Sequence, residues 1–142
     1  MVTTSTAETL DNRPNVLIAD DEEPVRSVLI TYLNRMGYRT TAVENGFQAL
    51  EQIRAGGVDL VISDYSMPIL NGLEFYDRMV LETPELADKF ILITGTAFAA
   101  DVRAFVRDHK TPFLEKPFRL PELASMVEKT YGQSIDQRVG VS

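Results

Sequence analysis

The sequence contains no cysteine and only one histidine, and these absences exclude several classes of function. Without cysteine there are no disulfides, no thiolate chemistry and no cysteine-based zinc site. A single histidine, His109, cannot form a multi-histidine metal site. It lies in the polar stretch Asp108–Thr111, with no nucleophile signature nearby, and is therefore interpreted as a surface residue.

Basic residues are also scarce relative to acidic ones. There are 14 Lys and Arg against 21 Asp and Glu, which gives a net charge of −7 at pH 7. An acidic chain repels a phosphate backbone, so direct nucleic-acid binding is not expected. No apolar run approaches the roughly 20 residues of a membrane span, and the polar N-terminus lacks a signal-peptide pattern. We therefore expect a cytoplasmic protein without membrane attachment.

What the sequence does contain is a regular alternation of apolar runs and amphipathic segments. Residues 1–14 predict a flexible N-terminal tail, residues 15–131 one domain of ordinary size, and residues 132–142 a C-terminal tail. Strands are predicted at residues 16–19, 38–43, 59–63, 90–93 and 113–115. Helices are predicted to follow each of them, the fourth over residues 97–108 and the last ending near Gly132. Such alternation indicates an α/β fold, with a parallel sheet flanked by helices on both faces.

Four consecutive acids, Asp20 to Glu23, directly follow the first apolar run, Val16–Ala19. Like charges this close repel each other, so they need either solvent or a cation. A hard divalent metal with oxygen ligands, magnesium above all, is the natural partner. The alternative is a solvated helix N-terminus, because acids favour the positive end of the helix dipole and Pro24 suits a first turn. The acid run alone leaves both interpretations open.

Other predicted strands are also followed by residues with reactive or ligand-binding side chains. Asp64 follows the third strand, Thr94 the fourth and Lys116 the fifth. The carboxyl ends of parallel strands lie at one edge of a sheet. Carboxylates, a hydroxyl and an ammonium group are therefore expected to converge in one crevice.

The order of these motifs resembles that of receiver domains, the phosphorylatable unit of two-component response regulators. The stretches that carry the resemblance are Val16–Glu22, Asp64–Pro68 with Gly72, Thr94–Ala97 and Glu115–Phe118. Each stretch is weak alone, but four in the right order at strand ends are specific, and they cover about residues 15–131. The resemblance implies the flavodoxin-like (βα)5 fold of the CheY-like superfamily, a single five-stranded sheet with strand order 2-1-3-4-5.

The resemblance implies that Asp64 accepts a phosphoryl group from a phosphohistidine of a sensor histidine kinase or a phosphotransfer protein. It also implies a Mg²⁺ ion, for which Mn²⁺ could substitute. Its ligands would be Asp20 through water, Asp21 and Asp64 directly, and the backbone carbonyl of Ser66. Such a chain is a signalling domain and not an enzyme in the usual sense, since it catalyses only its own phosphotransfer and dephosphorylation.

Three further residues take phosphoryl-binding or switch roles by resemblance. Lys116 would contact the phosphoryl group as a compact positive charge, and Thr94 would hydrogen-bond it. Phe113 stands at the family's switch-aromatic position, although a plain core phenylalanine is an open alternative. The Lys116–Pro117 bond is a candidate cis peptide, because a cis X-Pro bond costs only about 0.5–1 kcal/mol.

Two positions are expected to set the lifetime of the phosphorylated state. Ser66 and Thr96 lie two residues after Asp64 and Thr94, where by resemblance they flank the path of the hydrolytic water. Neither side chain is a strong general base, so an intermediate lifetime is expected. The output surface is expected on the fourth helix, fifth strand and fifth helix, for a downstream protein or a second receiver.

Rival enzyme functions find little support. A flavodoxin-like redox protein needs a hydroxyl- and glycine-rich phosphate loop after the first strand, where four acids stand here. A P-loop motif is absent, and aspartyl phosphatases usually carry a second acid where Ser66 stands. Two contexts stay open. The first is a stand-alone receiver without a DNA-binding domain, and the presence of Met1 favours this interpretation. The second is a receiver excised from a hybrid histidine kinase or a longer regulator.

Overall fold

The computed structural model describes the backbone of residues 12–95 and 99–141, and the side chains of residues 12–95 and 99–132. Strands and helices alternate along these residues. The strands are β1 Asn15–Ala19, β2 Arg39–Val43, β3 Leu60–Asp64, β4 Phe90–Thr94 and β5 Phe113–Glu115. The helices are α1 Glu23–Arg35, α2 Gly46–Ala55, α3 Gly72–Glu82, α4 Ala100–His109 and α5 Leu120–Val141, and a 3-10 turn, Pro84–Leu86, precedes β4.

The five strands form one parallel sheet in the order β2-β1-β3-β4-β5, which confirms the predicted fold and strand order. The register pairs Ala19 with Ser63, Asp64 with Ile93, and Thr94 with Glu115. Ala19 also pairs with Val43, the last residue of β2, so all five strands end side by side at one edge. Every residue of β3 and β4 is buried, as expected for central parallel strands covered on both faces.

Alternating strand residues feed two separate hydrophobic cores, one on each face of the sheet. On one face Leu17, Val61 and Leu92 pack with buried residues of α2, α3 and α4. On the other face Ile18 and Ile62 belong to the core that includes residues of α1 and α5. The alternation follows from the two-residue period of a strand. The sheet is thus a rigid central layer that fixes the positions of its strand ends.

Strong helix starts hold the loops that follow β2 and β3. The side chain of Asn45 accepts a hydrogen bond from the Gln48 amide at the start of α2. Asn71 and Glu74 form a reciprocal capping box at the start of α3. Such caps satisfy amides that the first helical turn leaves without partners. The loop between Asp64 and α3 is therefore closed at a defined point.

Some predicted boundaries differ from the structure. Asp64 is the last residue of β3 and does not follow it, and α4 begins at Ala100 instead of residue 97, with residues 96–98 outside the described range. The last helix continues to Val141, so the prediction of an end near Gly132 was wrong. Gly132 does not adopt the positive φ with which glycine ends helices.

Two other expectations bear on the ends of the chain and on membranes. Of the predicted N-terminal tail, residues 1–11 lie outside the described residues, while residues 12–14 have no regular secondary structure. Within the described part of the chain, no helix combines the length and the apolar character that a bilayer crossing requires.

Candidate functional site

Three carboxylates meet at the carboxyl edge of the sheet. Asp20 directly follows β1, and Asp64 ends the neighbouring strand β3; their relative exposures are 1% and 4%. Asp21 is exposed at the rim, and ligand oxygens of the three carboxylates lie within 4.8 Å of one another. The predicted convergence of these acids at one strand edge is therefore what the structure shows.

Lys116 reaches into the same cluster from the end of β5. Its Nζ lies 3.3 Å from Asp64 Oδ2, 3.5 Å from Asp20 Oδ2 and 3.4 Å from Glu22 Oε1. The Lys116 amide donates to the Thr94 carbonyl at 2.8 Å, and the Lys116–Pro117 peptide is cis. One ammonium group thus bridges three carboxylates from different parts of the acid run and β3.

The electrostatics of the site are set by burial and by repulsion. Burial, and next the charge of Asp20, raise the pKa of Asp64 to about 6, against the opposing effects of Lys116 and a hydrogen bond from the Ser66 backbone. Burial also raises the pKa of Asp20, partly offset by the Glu22 amide and by Lys116. Both shifts show that negative charge here is not fully compensated by the protein.

Lys116 responds in the opposite direction. Burial alone would lower the pKa of its ammonium group, but the charges of Asp64 and Asp20 outweigh burial and raise it. Lys116 therefore stays charged at neutral pH. Lys116 contacts Asp20, Glu22 and Asp64, and together with the neighbouring Asp21 these four acids outnumber Lys116 and the nearby Arg26 guanidinium.

These residues fit a hard divalent cation. The clustered donors are all carboxylate oxygens, the ligand type that Mg²⁺ prefers. Two of the acids are buried and one lies at the rim, so a bound ion keeps a side open to solvent. The pKa values of Asp20 and Asp64 are raised because the charged carboxylates are disfavoured at this site, and a bound cation would neutralise that charge.

The four residues of the acid run make different contacts. Asp20 and Asp21 belong to the carboxylate cluster, and Glu22 pairs with Lys116. Glu23 lies in the first turn of α1, where Pro24 also stands. The run therefore contains both a carboxylate cluster that could hold a metal and an acidic first helical turn, because the chain changes from strand end to helix within four residues.

The remaining predicted site residues take varied positions. Thr94 is buried at the end of β4, beside β5. Phe113 is 38% exposed, so the alternative of a plain core phenylalanine was wrong; β5 buries only Leu114. The Ser66 side chain is exposed next to Asp64, and Thr96 lies outside the described residues.

Three contacts around the site were not predicted from the sequence. The Arg26 guanidinium donates to the Asp20 carbonyl at 2.8 Å, and Glu22 pairs with Lys116. The Tyr65 hydroxyl donates to Asp101 Oδ2 at 2.7 Å. Tyr65 lies within the Asp64–Pro68 stretch, but Asp101 belongs to no motif and is 36 positions away, so no sequence signal pointed to this contact.

An apolar groove opens beside the cluster. It has a volume of about 570 Å³ and lies between the start of α1 and residues 116–120. Val25 and Val28 line one side, and Pro117 and Phe118 line the other. Lys116 lines this α1–α5 groove and also contacts the carboxylates, so the groove adjoins the carboxylate cluster.

Comparisons with known proteins agree with this architecture. Residues 16–128 match the family model of the response regulator receiver domain. The response regulator receiver protein CpdR of Brucella abortus is 35% identical over 117 residues, covering 80% of this chain and 93% of CpdR. The sensor kinase CckA of the same organism is 34% identical over 125 residues, which cover 87% of this chain but only 13% of CckA.

Solved structures show the same fold. A CheY-like receiver domain protein from Methanospirillum hungatei superposes with a TM-score of 0.81 at 19% identity, covering 89% of this chain and 99% of that one. The response regulator TrrA of Thermotoga maritima, solved in complex with Mg²⁺ and BeF, gives a TM-score of 0.71 at 30% identity, with coverages of 82% and 98%. The matched profile, the parallel sheet order and the strand-end motifs agree, and the chain belongs to the response regulator receiver domain family of two-component systems.

Proposed function

We propose that Asp64 accepts a phosphoryl group from a phosphohistidine in a Mg²⁺-dependent step and so carries a signal in a phosphorelay. The observation that carries this proposal is the position of the Lys116 ammonium, 3.3 Å from the Asp64 carboxylate at a cluster of three acids. A buried acid with an adjacent cation and a fitting metal site is the arrangement that phosphoryl acceptance requires.

In the proposed step an Asp64 carboxylate oxygen attacks phosphorus. A P–O bond forms, the P–N bond to the donor histidine breaks, and its electron pair stays on the imidazole nitrogen. The product is an acyl phosphate. Because a carboxylate is a weak nucleophile, the chain contributes mainly position and charge. Mg²⁺, when bound, supplies neutralisation of the phosphoryl oxygens.

The chain's own residues have separate parts in this step. Burial between strands keeps Asp64 in one orientation, and Lys116 is placed to compensate charge on a phosphoryl oxygen. Thr94, at the end of the next strand, is the proposed hydrogen-bond donor to the phosphoryl group. Asp20, Asp21, Asp64 and the Ser66 carbonyl are the proposed metal ligands, and Mn²⁺ could take the place of Mg²⁺.

Acetyl phosphate provides the direct test of this assignment. With Mg²⁺ present, we expect the intact protein to gain the mass of one phosphoryl group, mapped to the peptide that contains Asp64. Asp64→Asn should abolish the gain, and chelation of the metal or Asp21→Ala should slow it strongly, because charge compensation is lost. Undiminished labelling of Asp64→Asn would refute the assignment of the phosphoacceptor.

We further propose that a phosphohistidine protein docks in the α1–α5 groove. A helix of a sensor histidine kinase or phosphotransfer protein lying there would bring its histidine towards Asp64, because the groove borders Lys116. Val28, 49% exposed on the groove wall, offers apolar contact surface. Small donors such as acetyl phosphate do not require contact with this surface to reach Asp64.

Val28→Asp should therefore separate the two kinds of donor. We expect phosphotransfer from a phosphohistidine protein to slow about tenfold, the effect of losing roughly 1.4 kcal/mol at an interface. Labelling by acetyl phosphate should not change. Leu81→Asp is the matched control, because Leu81 is 84% exposed on α3, which packs on the opposite face of the sheet. Equal slowing by both substitutions would contradict docking in the groove.

Hydrolysis of the acyl phosphate is proposed to depend on Ser66 and Thr96. Hydroxyl groups can orient a water molecule but do not readily deprotonate it. Ser66→Asn combined with Thr96→Glu should therefore shorten the phosphoryl lifetime, because the new groups position water better. The decay of protein-bound phosphate measures this. A double variant that retains phosphate as long as the parent would exclude these positions as the determinants.

The proposed output surface is the face formed by α4, β5 and α5, which would bind a downstream protein or a second receiver. Phe113 is exposed on β5, where a switch in its orientation would alter that face. We propose a cytoplasmic protein that binds neither membranes nor nucleic acid. Its relatives include both a receiver of similar length and a receiver inside a much longer kinase, so an origin in a hybrid kinase or longer regulator is the alternative context.

A further inference from the structure

The backbone of Tyr65, the residue after the proposed phosphoacceptor, is fixed on both sides. Its amide donates to the Ile93 carbonyl at 2.7 Å, and its carbonyl accepts from the Gly72 amide at 2.8 Å. A Cβ on Gly72 would lie only 3.0 Å from Tyr65 Cα, so α3 presses directly against this residue. Tyr65 therefore moves with the end of β3, and with Asp64.

The Tyr65 side chain extends from this fixed point to the start of α4. Its hydroxyl donates to Asp101 Oδ2 at 2.7 Å, and Asp101 Oδ1 accepts from the Val102 amide at 2.8 Å. Chiefly because of this hydrogen bond, the pKa of the Tyr65 hydroxyl is raised. We call this contact the Tyr65–Asp101 tether. One carboxylate thus joins the first turn of α4 to the residue beside Asp64.

Helix α4 has few other attachments near its start. Its N-cap residue is Ala99, which has no side-chain group to cap the helix. Val102 and Phe105 are its only buried residues. Among the described elements, every other helix has a stretch of backbone close to another strand or helix, whereas the backbone of α4 has none. Elements with few packed contacts open most readily. A single hydrogen bond at the start of α4 is therefore expected to help hold the helix in place, beside the ring contacts of Phe105 with Tyr76 and Phe90.

The tether also spans the connection that follows Thr94. Residues 95–99 join the end of β4 to α4, and the tether fixes the far end of this connection to the residue next to Asp64. The tether thus links the residue next to Asp64 to α4 across space, through neither Thr94 nor Phe113.

We propose that Tyr65 is a positioning residue that couples Asp64 to helix α4 through Asp101. The tether fixes the position of the start of α4 relative to the end of β3. A phosphoryl group that displaces the Asp64–Tyr65 segment therefore also displaces the start of α4. This proposal rests on phosphorylation of Asp64 for its signalling role. The tether itself can be tested without any phosphoryl group.

Hydrogen exchange of the unmodified protein tests the tether. Tyr65→Phe should speed exchange of the α4 amides about fivefold, the effect of losing one hydrogen bond. Asp101→Ala should speed it at least as much, because it also removes the acceptor of the Val102 amide. The double variant should add little to Asp101→Ala alone, because that substitution already removes the tether. Tyr32→Phe, which removes the hydroxyl of a half-buried tyrosine on α1, is the matched control and should leave α4 exchange unchanged. Unchanged α4 exchange in both single variants, or fully additive effects, would overturn the tether.

Amide shifts on adding beryllofluoride with Mg²⁺ test the coupling. In the parent we expect shifts at residues 64–66, at Lys116 and along α4. In Tyr65→Phe the shifts near Asp64 and Lys116 should persist while those of residues 100–109 shrink. Equal α4 shifts in parent and variant would overturn the coupling role. A parent with no shifts at all would instead refute the proposed phosphoacceptor function, a result that the exchange experiment does not depend on.

Discussion

Replacing Asp64 with asparagine should make the metal-free protein more stable at pH 7, by about 2 kcal/mol. The pKa of Asp64 is raised to about 6, first by burial and then by the charge of Asp20. Each pKa unit corresponds to about 1.4 kcal/mol between the two protonation states. The charged carboxylate is therefore a cost to the folded state, and the asparagine side chain keeps the shape while removing the charge. Urea unfolding measures the difference.

The same shift predicts the pH dependence of stability. Because the folded pKa lies above the unfolded value, the folded protein binds more protons than the unfolded chain between about pH 4 and pH 6. Asp64 should therefore make the parent less stable as pH rises through this window, and Asp64→Asn should show a flatter profile. Asp77→Asn, at an exposed acid on α3, is the control for net charge. An Asp64→Asn variant no more stable than Asp77→Asn would contradict the electrostatic account.

Magnesium should relieve the same cost in another way. A ligand that binds only the folded state raises its stability, so we expect the parent to gain stability with added Mg²⁺ at pH 7. Asp64→Asn and Asp21→Ala should gain much less. Equal stabilisation of all three proteins would place the ion elsewhere.

The second large effect is expected at Gly72, the first residue of α3. An alanine Cβ at this position would lie 2.6 Å from the Asp64 carbonyl oxygen and 3.1 Å from Leu92 Cδ1. The nearest atom belongs to the backbone of β3 and cannot turn away. Overpacking of this kind costs about 1–3 kcal/mol where neighbours adjust, so we expect Gly72→Ala to lose about 3 kcal/mol of unfolding free energy.

Gly132→Ala is the matched control for this substitution. A Cβ on Gly132 meets nothing within 4 Å, and alanine favours a helix over glycine by about 1 kcal/mol. This control should therefore be as stable as the parent or slightly more stable. Gly72→Ala should also accept phosphate from acetyl phosphate more slowly, because the clash displaces Asp64. Parent-like stability of Gly72→Ala would show that α3 can move away from β3 at little cost.

The sheet was predictable because its strands are short apolar runs bounded by polar residues. Val16–Ala19 and Phe90–Ile93 were placed within a residue of their observed bounds, and the parallel arrangement follows from the alternation with helices. The end of α5 was not predictable in the same way. Gly132 ends a helix only if its backbone takes a positive φ, and the residue type alone does not decide that.

The candidate site was predictable where it depends on strand ends. Asp20, Asp64 and Lys116 meet because parallel strands end at one edge, and the family resemblance supplied their proposed roles. Contacts set by side-chain direction were not predictable. Phe113 could face either way on a three-residue strand, and the Tyr65–Asp101 tether depends on where α4 lies over the sheet.

The division of the acid run has a consequence for chain length at this junction. The carboxylates of the cluster, the acidic partner of Lys116 and the helix start occupy consecutive positions between the end of β1 and the first turn of α1. An insertion or deletion of one residue here would turn each following side chain by about 100° around the helix axis or move it out of reach. A single substitution within residues 20–23 removes one of these contacts, whereas a change in their number would disturb every one of them at once.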